Sequence, residues 1–134
     1  MLAFVDTSAL VALAVRSDKN HKQALGWLRS EARSGTRFVL GRPVLIEYLD
    51  GVTKRVGKGQ AIEQLRQIEA STLMRIEADV EEDHLRARDL FLRYDDEPID
   101  FTDSLSFAIM ERLGLRHAFT FDRDFEVHGF TRVP

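Results

Sequence analysis

Four short runs rich in apolar residues alternate with stretches of helical periodicity, and this alternation is the feature that most restricts how the chain can fold. The runs occupy residues 2–5, 38–40, 73–76 and 118–121. Each is of strand length, and the segments between them repeat apolar residues every three or four positions, as amphipathic helices do. Because strands joined by helices pair in parallel and are covered on both faces, the pattern predicts a three-layer α/β domain with a mostly parallel central sheet.

The helical stretches have recognisable beginnings. Thr7 and Ser8 place hydroxyls before an apolar segment, and Pro43 suits the first turn of a later helix. Gly35 and Gly114 are well placed to end two others. We predict helices at residues 9–15, 21–33, 60–70, 78–94 and 102–113, and one that starts at Pro43 and ends within residues 51–59.

Length and composition fit one ordinary domain spanning residues 1–134, with 44% hydrophobic and 31% charged residues. No apolar run approaches the roughly 20 residues of a membrane-spanning helix. Asp6 interrupts the apolar amino terminus and no Lys or Arg precedes it, so we expect no signal peptide. The absence of Cys excludes disulfides and thiolate metal sites and leads us to expect a cytoplasmic protein.

Charge is distributed unevenly although the net charge is only −3. Residues 1–75 carry 12 basic and 7 acidic residues, whereas residues 76–134 carry 7 basic and 15 acidic residues. This division could place a group of carboxylates beside a basic rim, or it could reflect ordinary solvated surfaces.

Three aspartates occupy positions where site residues collect in parallel sheets. Asp6 and Asp122 each follow a predicted strand directly, and the carboxyl ends of parallel strands meet at one edge of the sheet. Asp103 lies in the first turn of a predicted helix. Each position also suits a helix cap or a turn, so the three residues taken singly do not define a site.

Glu47 is the fourth candidate and lies on the helix that starts at Pro43. It is roughly opposite the apolar stripe of that helix, which would place it in solvent. However, Val44 and Ile46 flank it, which predicts a helix that is apolar nearly all round and a Glu47 enclosed in a pocket.

Several carboxylates that converge on one cavity require a compensating cation. Oxygen ligands without Cys or clustered His favour Mg²⁺ or Mn²⁺. Such an ion, bound by carboxylates and substrate phosphates, suits hydrolysis of a phosphodiester by an activated water. The four histidines (His21, His84, His117 and His128) have no ligand spacing, so we interpret them as structural or surface residues.

Four motifs together resemble the PIN-domain ribonucleases, especially the VapC-type toxins of toxin-antitoxin pairs. They are FVDTSAL at the amino terminus, PVLIEYL, FTDSLSFAIMERLG and the closing TFDRDF. Each motif is weak alone, but the four occur in the order and spacing of that family and cover essentially the whole chain. The resemblance implies a PIN-like fold and a Mg²⁺- or Mn²⁺-dependent endoribonuclease that is inhibited by a cognate antitoxin and forms a homodimer.

The resemblance also implies roles for individual residues. Asp6, Glu47 and Asp103 match three acidic metal ligands of the family. For the fourth ligand, TFDRDF offers Asp122 as first choice and Asp124 as second, because family members differ in which one they retain. Asp100 stands where relatives often carry a hydroxyl residue, so a further ligand, a helix cap and a solvated acid all stay open.

Two other classes of protein fit the sequence less well. A haloacid-dehalogenase-type phosphatase would need a second Asp where Ser8 stands, and a receiver-like phosphoacceptor would need paired acids and a Lys after the last strand. A PIN-like domain that binds or processes RNA without being a toxin fits the same acids. Six basic residues could contact RNA phosphates or simply be solvated, namely Arg16, Lys19, Lys22, Lys54, Arg55 and Lys58.

Overall fold

A computed structural model describes residues 1–134, which form five strands and seven helices. The strands are β1 (Leu2–Val5), β2 (Arg37–Gly41), β3 (Met74–Glu77), β4 (His117–Phe119) and β5 (Thr131–Val133). The helices are α1 (Thr7–Ala14), α2 (His21–Arg33), α3 (Arg42–Arg55), α4 (Lys58–Ala70), α5 (Glu81–Arg93), α6 (Phe101–Leu113) and α7 (Asp124–Val127). None of the helices is long and apolar enough to cross a membrane.

The five strands form one sheet in the order β3-β2-β1-β4-β5, and every neighbouring pair is parallel. Val5 pairs with Leu40 on one side and with Phe119 on the other, so the carboxyl ends of the three middle strands lie at one edge. Ala3, Phe4 and Val5 are all fully buried. Because successive residues of a strand face opposite sides, both faces of the sheet are covered, and the predicted α/β architecture is confirmed.

Close packing fixes the junction between β2 and α3. A Cβ atom added at Gly41 would lie 3.1 Å from Cζ of Phe4 and 3.3 Å from Cδ1 of Ile109. Pro43 occupies the first turn of α3, as predicted. The helix ends at Arg55, within the predicted stretch 51–59.

The sequence patterns were least accurate near the carboxyl terminus. The predicted strand 118–121 ends earlier, at Phe119, and the hydroxyl of the next residue, Thr120, contacts Asp6 and the backbone N–H of Asp122. Two elements were not predicted, the four-residue helix α7 and the three-residue strand β5. Both are shorter than the window over which hydrophobic periodicity can be recognised.

Candidate metal centre

Asp6 lies directly after the central strand and is 6% exposed. Its Oδ2 accepts hydrogen bonds of 2.8 Å from the hydroxyls of Ser8 and Thr120. Asp6 precedes α1, but its side chain makes no capping hydrogen bond to that helix. The capping alternative is therefore wrong for this side chain, and the two hydroxyls hold the carboxylate at the edge of the sheet.

Asp122 and Asp124 follow β4 in a tight turn. The backbone N–H of Asp122 donates to Oγ1 of Thr120 at 2.9 Å, and the backbone N–H of Asp124 donates to Oδ1 of Asp122 at 2.9 Å. The hydroxyl of Ser8 also accepts from the backbone N–H of Phe121 at 3.0 Å. These contacts join the segment after β4 to the segment after β1, although the two lie more than 110 residues apart in the sequence.

Asp103 belongs to a reciprocal cap at the start of α6. Its backbone N–H donates to Oδ1 of Asp100 at 2.8 Å, and its own Oδ2 accepts from the backbone N–H of Asp100 at 3.2 Å. Of the roles left open for Asp100, the structure shows the helix cap. Because Asp103 is held at the first turn of α6, its carboxylate stays at the edge of the sheet.

Three of these carboxylates lie close enough to share one ion. Asp103, Asp122 and Asp124 each offer an oxygen, and the three oxygens lie within 4.8 Å of one another. The charges of Asp6 and Asp122 also influence Asp103, so Asp6 adjoins this group. We call Asp6, Asp103, Asp122 and Asp124 the acid cluster.

The acid cluster is electrostatically strained without a cation. Burial raises the pKa of Asp6, although hydrogen bonds from Thr120 and Ser8 oppose the rise. Burial together with the charges of Asp100, Asp6 and Asp122 raises the pKa of Asp103 to about 8. The strongest influences on these two groups include no Lys or Arg, so the protein itself supplies little compensation.

Burial and the charge of Asp122 likewise raise the pKa of Asp124. Crowded carboxylates with raised pKa values are the donor set that a hard divalent cation stabilises, because the cation favours their ionised form. The residues of the acid cluster therefore fit a divalent metal.

Glu47 occupies a different environment from the one predicted. It is exposed, and neighbouring Ile46 is 54% exposed, so α3 is not apolar all round at this level. The Oε1 of Glu47 accepts a 2.7 Å hydrogen bond from Oγ1 of Thr7, next to Asp6. The prediction of an enclosed Glu47 is wrong because α3 borders open clefts there, and Glu47 stands at the rim of the acid cluster.

Two clefts flank α3 and begin at Glu47. The polar cleft measures about 590 Å³ and lies between α3, the start of α5 and the start of α6. The apolar cleft measures about 440 Å³ and lies between α1, α3 and α4. Glu47, Gly51 and Arg55 line both clefts, because residues four positions apart form one ridge along a helix.

Some residues of the site were not recognisable from the sequence. Thr120 orients Asp6 and Asp122, yet a Thr at the end of a strand gives no local signal of such a role.

Three of the four histidines also have definite contacts. Nδ1 of His21 lies 2.8 Å from the carbonyl oxygen of Ala12. His84 Nε2 lies 2.6 Å from Oδ2 of Asp79 in the polar cleft, whereas His128 lies between Tyr94 and Glu111, at 2.6 and 2.8 Å, and fastens α7.

The fold is thus a five-stranded parallel sheet with acidic residues beyond the carboxyl ends of β1 and β4. Residues 3–130 match the PIN domain family, and the chain belongs to it. PIN nucleases generally use a divalent metal, which agrees with the acid cluster.

Individual relatives make the resemblance more specific. The chain is 33% identical to the 23S rRNA-specific endonuclease VapC20 of Mycobacterium tuberculosis, over 98% of each chain. The crystal structure of that toxin, described as cleaving the sarcin-ricin loop, superposes with a TM-score of 0.87 at 29% identity over 99% of this chain and 98% of the other. The predicted resemblance to VapC-type toxins is thereby confirmed.

A more distant structure shares the fold. VapBC2 of Rickettsia felis, solved with a DNA fragment from its promoter, matches with a TM-score of 0.72 at 15% identity over 99% of this chain and 98% of that chain.

Proposed function

We propose that this chain is a Mg²⁺-dependent endoribonuclease that cleaves 23S ribosomal RNA and acts as the toxin of a toxin-antitoxin pair. The observation that carries the proposal is the acid cluster, in which three carboxylate oxygens lie within 4.8 Å of one another beside the buried Asp6. Full-length similarity to VapC20 supports the choice of substrate. Ribosomal RNA is a cytoplasmic target, and we expect the chain to act there.

Asp103, Asp122 and Asp6 would hold the cation, with Asp124 as a further or alternative ligand and Glu47 at the rim. Mg²⁺ suits a site built only of oxygen donors, and Mn²⁺ would substitute for it. A divalent cation supplies activation of a water and charge compensation at the leaving oxygen of a phosphodiester.

The chain's own contribution is to place its carboxylates before substrate arrives. Ser8 and Thr120 fix the orientation of Asp6, and the reciprocal cap with Asp100 fixes Asp103. Thr7 holds Glu47 at the mouth of both clefts. Such fixed donors lose little freedom when substrate binds, which favours catalysis by positioning.

Cleavage of ribosomes by the purified protein tests the function. With Mg²⁺, primer extension on 23S rRNA should show a single strong cleavage position, and excess EDTA should abolish it. Asp103→Asn should be inactive. Asp100→Asn is the matched control and should stay active, because an Asn oxygen can still accept the cap hydrogen bond.

Three possible results would each contradict a different part of the proposal. Activity that persists in excess EDTA would contradict the metal mechanism. Cleavage of other RNAs with intact 23S rRNA would contradict only the substrate. A folded, metal-binding protein that is harmless when highly expressed would favour an RNA-processing role over a toxin.

The apolar cleft suits an antitoxin segment. Val11, Val15, Val52 and Val56 line it together with Arg55. An amphipathic helix could place its apolar face against these valines and reach Glu47 with a Lys or Arg. Val52→Glu should therefore weaken a copurified complex with the antitoxin, while RNA cleavage by the free chain is retained.

We also propose a homodimer formed through α5. The linear pattern showed no clear apolar surface patch, but the structure does: Leu85 is 58% exposed and Leu92 is 56% exposed on one face of α5. Phe91 and Phe101 are also exposed and contact each other, with ring centroids 5.5 Å apart. Large exposed apolar side chains of this kind are typical of protein interfaces.

A further inference from the structure

The polar cleft is lined by a mixture of apolar, basic and acidic side chains. Its walls include Ile46 and His84, both largely exposed, and at its far end Lys54 and Arg55. Carboxylates also line it, among them Asp50. This mixture of cations, carboxylates and an exposed apolar residue differs from the apolar cleft on the other side of α3, whose walls carry four valines.

Position connects this cleft to the acid cluster. Glu47 belongs to its wall, and Thr102, which precedes Asp103 in the chain, lines it as well. The axial distance from Glu47 to Lys54 along α3 is about 10 Å, since a helix rises 1.5 Å per residue. An RNA strand cleaved at the acid cluster can therefore place a neighbouring nucleotide in the cleft and the next phosphate near Lys54.

We propose that the polar cleft is a nucleotide subsite that holds a base next to the scissile phosphate, between Ile46 and the imidazole of His84. RNA loops are recognised by bases that leave the stack and rest on flat or apolar side chains. The volume of about 590 Å³ is within the range of small-molecule sites. This inference rests on the proposed function, since it assumes that the substrate is RNA.

Hydrogen bonding gives the subsite a base preference. Nε2 of His84 is held by Asp79 at 2.6 Å, and the other ring nitrogen has no hydrogen-bond partner within the protein. The contact with Asp79 limits rotation of the ring, whose face can then stack with a base. Asp50 is an acceptor in the same cleft, so the cleft favours bases that carry an amino group (adenine, guanine or cytosine) over uracil, which offers only its N3–H donor.

Binding is measured with a fluorescently labelled RNA stem-loop whose loop sequence is randomised, in a buffer that contains Ca²⁺ in place of Mg²⁺. His84→Ala and Ile46→Ala should each raise Kd by at least about fivefold, as loss of a base-stacking surface does. Ile62→Ala is the control, because Ile62 is exposed on α4 and lies outside both clefts. Equal thermal midpoints would show that the variants are folded.

The salt dependence of the same binding tests the phosphate contact. Lys54→Ala should reduce the slope of log Kd against log salt by about 0.7, the value for one phosphate contact with a single strand. Lys58→Ala should leave the slope unchanged, because Lys58 belongs to the same basic segment but does not line the polar cleft.

Sequencing of the products cleaved in Mg²⁺ tests the base preference. The wild-type chain should select against uracil at one position beside the cut, and Asp50→Ala should relax that selection while kcat changes less than threefold. The subsite would be overturned if the cleft variants bound RNA as tightly as the controls Ile62→Ala and Lys58→Ala, or if they changed only the oligomeric state. The nuclease function would then stay intact. Binding that depends on the cleft without any cleavage would overturn the proposed function and support the subsite. Absence of both binding and cleavage would overturn both.

Discussion

Asp103 combines two roles that conflict when no cation is bound. It caps the backbone at Asp100, which fixes its position, and it faces the charges of Asp6 and Asp122, which penalise its ionised form. The arrangement that favours a divalent ion therefore lowers the stability of the metal-free protein, as is common at functional sites.

The stability of the metal-free protein should depend on pH through Asp103. Its pKa is about 8 in the folded chain, against an ordinary value of 3.8 for an aspartate in the unfolded chain. The folded state therefore binds the proton more tightly, so this group's contribution to the free energy of unfolding is greatest below pH 4 and is lost as pH rises from about 4 to about 8. Thermal unfolding in EDTA across this range measures the effect.

Asp103→Asn should remove this penalty. At pH 8 in EDTA, we expect the thermal midpoint of the variant to lie about 2 to 6 °C above wild type, the shift that roughly 1 kcal/mol produces in a domain of this size. With excess Mg²⁺ the order should reverse, because only wild type gains from ion binding. A variant less stable than wild type in EDTA would contradict the electrostatic strain.

Asp122 and Asp124 should differ in their effect on metal binding. The charge of Asp122 raises the pKa of both Asp6 and Asp103, whereas Asp124 is not among the strongest influences on either. Asp122→Asn should therefore abolish the Mg²⁺-induced rise in thermal midpoint, and Asp124→Asn should reduce it only in part. The reverse order, measured by calorimetric titration with Mg²⁺, would make Asp124 the principal ligand.

Packing between elements positions the edge of the sheet where the acids meet, and Gly41 is closely packed there. A Cβ there would press on the ring of the fully buried Phe4 and on Ile109. Gly41→Ala should cost about 1–3 kcal/mol of unfolding free energy, as overpacking of a core does. Gly26→Ala is the control: Gly26 lies in α2 with open space around it and should gain roughly 0.8–1 kcal/mol from helix propensity. Urea denaturation of both variants distinguishes packing from propensity.

At the scale of the whole molecule, the exposed apolar face of α5 should determine the oligomeric state. Leu92→Arg places a charge on that face and should shift the chain from dimer to monomer in analytical ultracentrifugation. Val127→Arg changes an exposed apolar residue on α7 and should leave the dimer unchanged. A wild-type chain that sediments as a monomer at micromolar concentration would contradict the homodimer.

The sequence by itself determined the order of the first four strands and the first six helices, because the periodicity of apolar residues is a local property that survives without tertiary contacts. It also placed Asp6 and Asp122 after strands and Asp103 at the start of a helix. Those positions follow from the element boundaries, and parallel pairing then brings them to one edge.

Only the tertiary structure decided the surroundings of these residues. The hydroxyl that orients Asp6 comes from Thr120, 114 positions away, and no local pattern encodes that contact. Glu47 is exposed because α3 borders two clefts that form only when α1, α4, α5 and α6 are in place. The short elements α7 and β5 likewise depend on their neighbours rather than on their own periodicity. His128, at the end of α7, contacts Tyr94 and Glu111. Strand β5 pairs with β4. Burial, cleft shape and exposed apolar surface arise from contacts between segments distant in sequence, and the local patterns read here do not encode them.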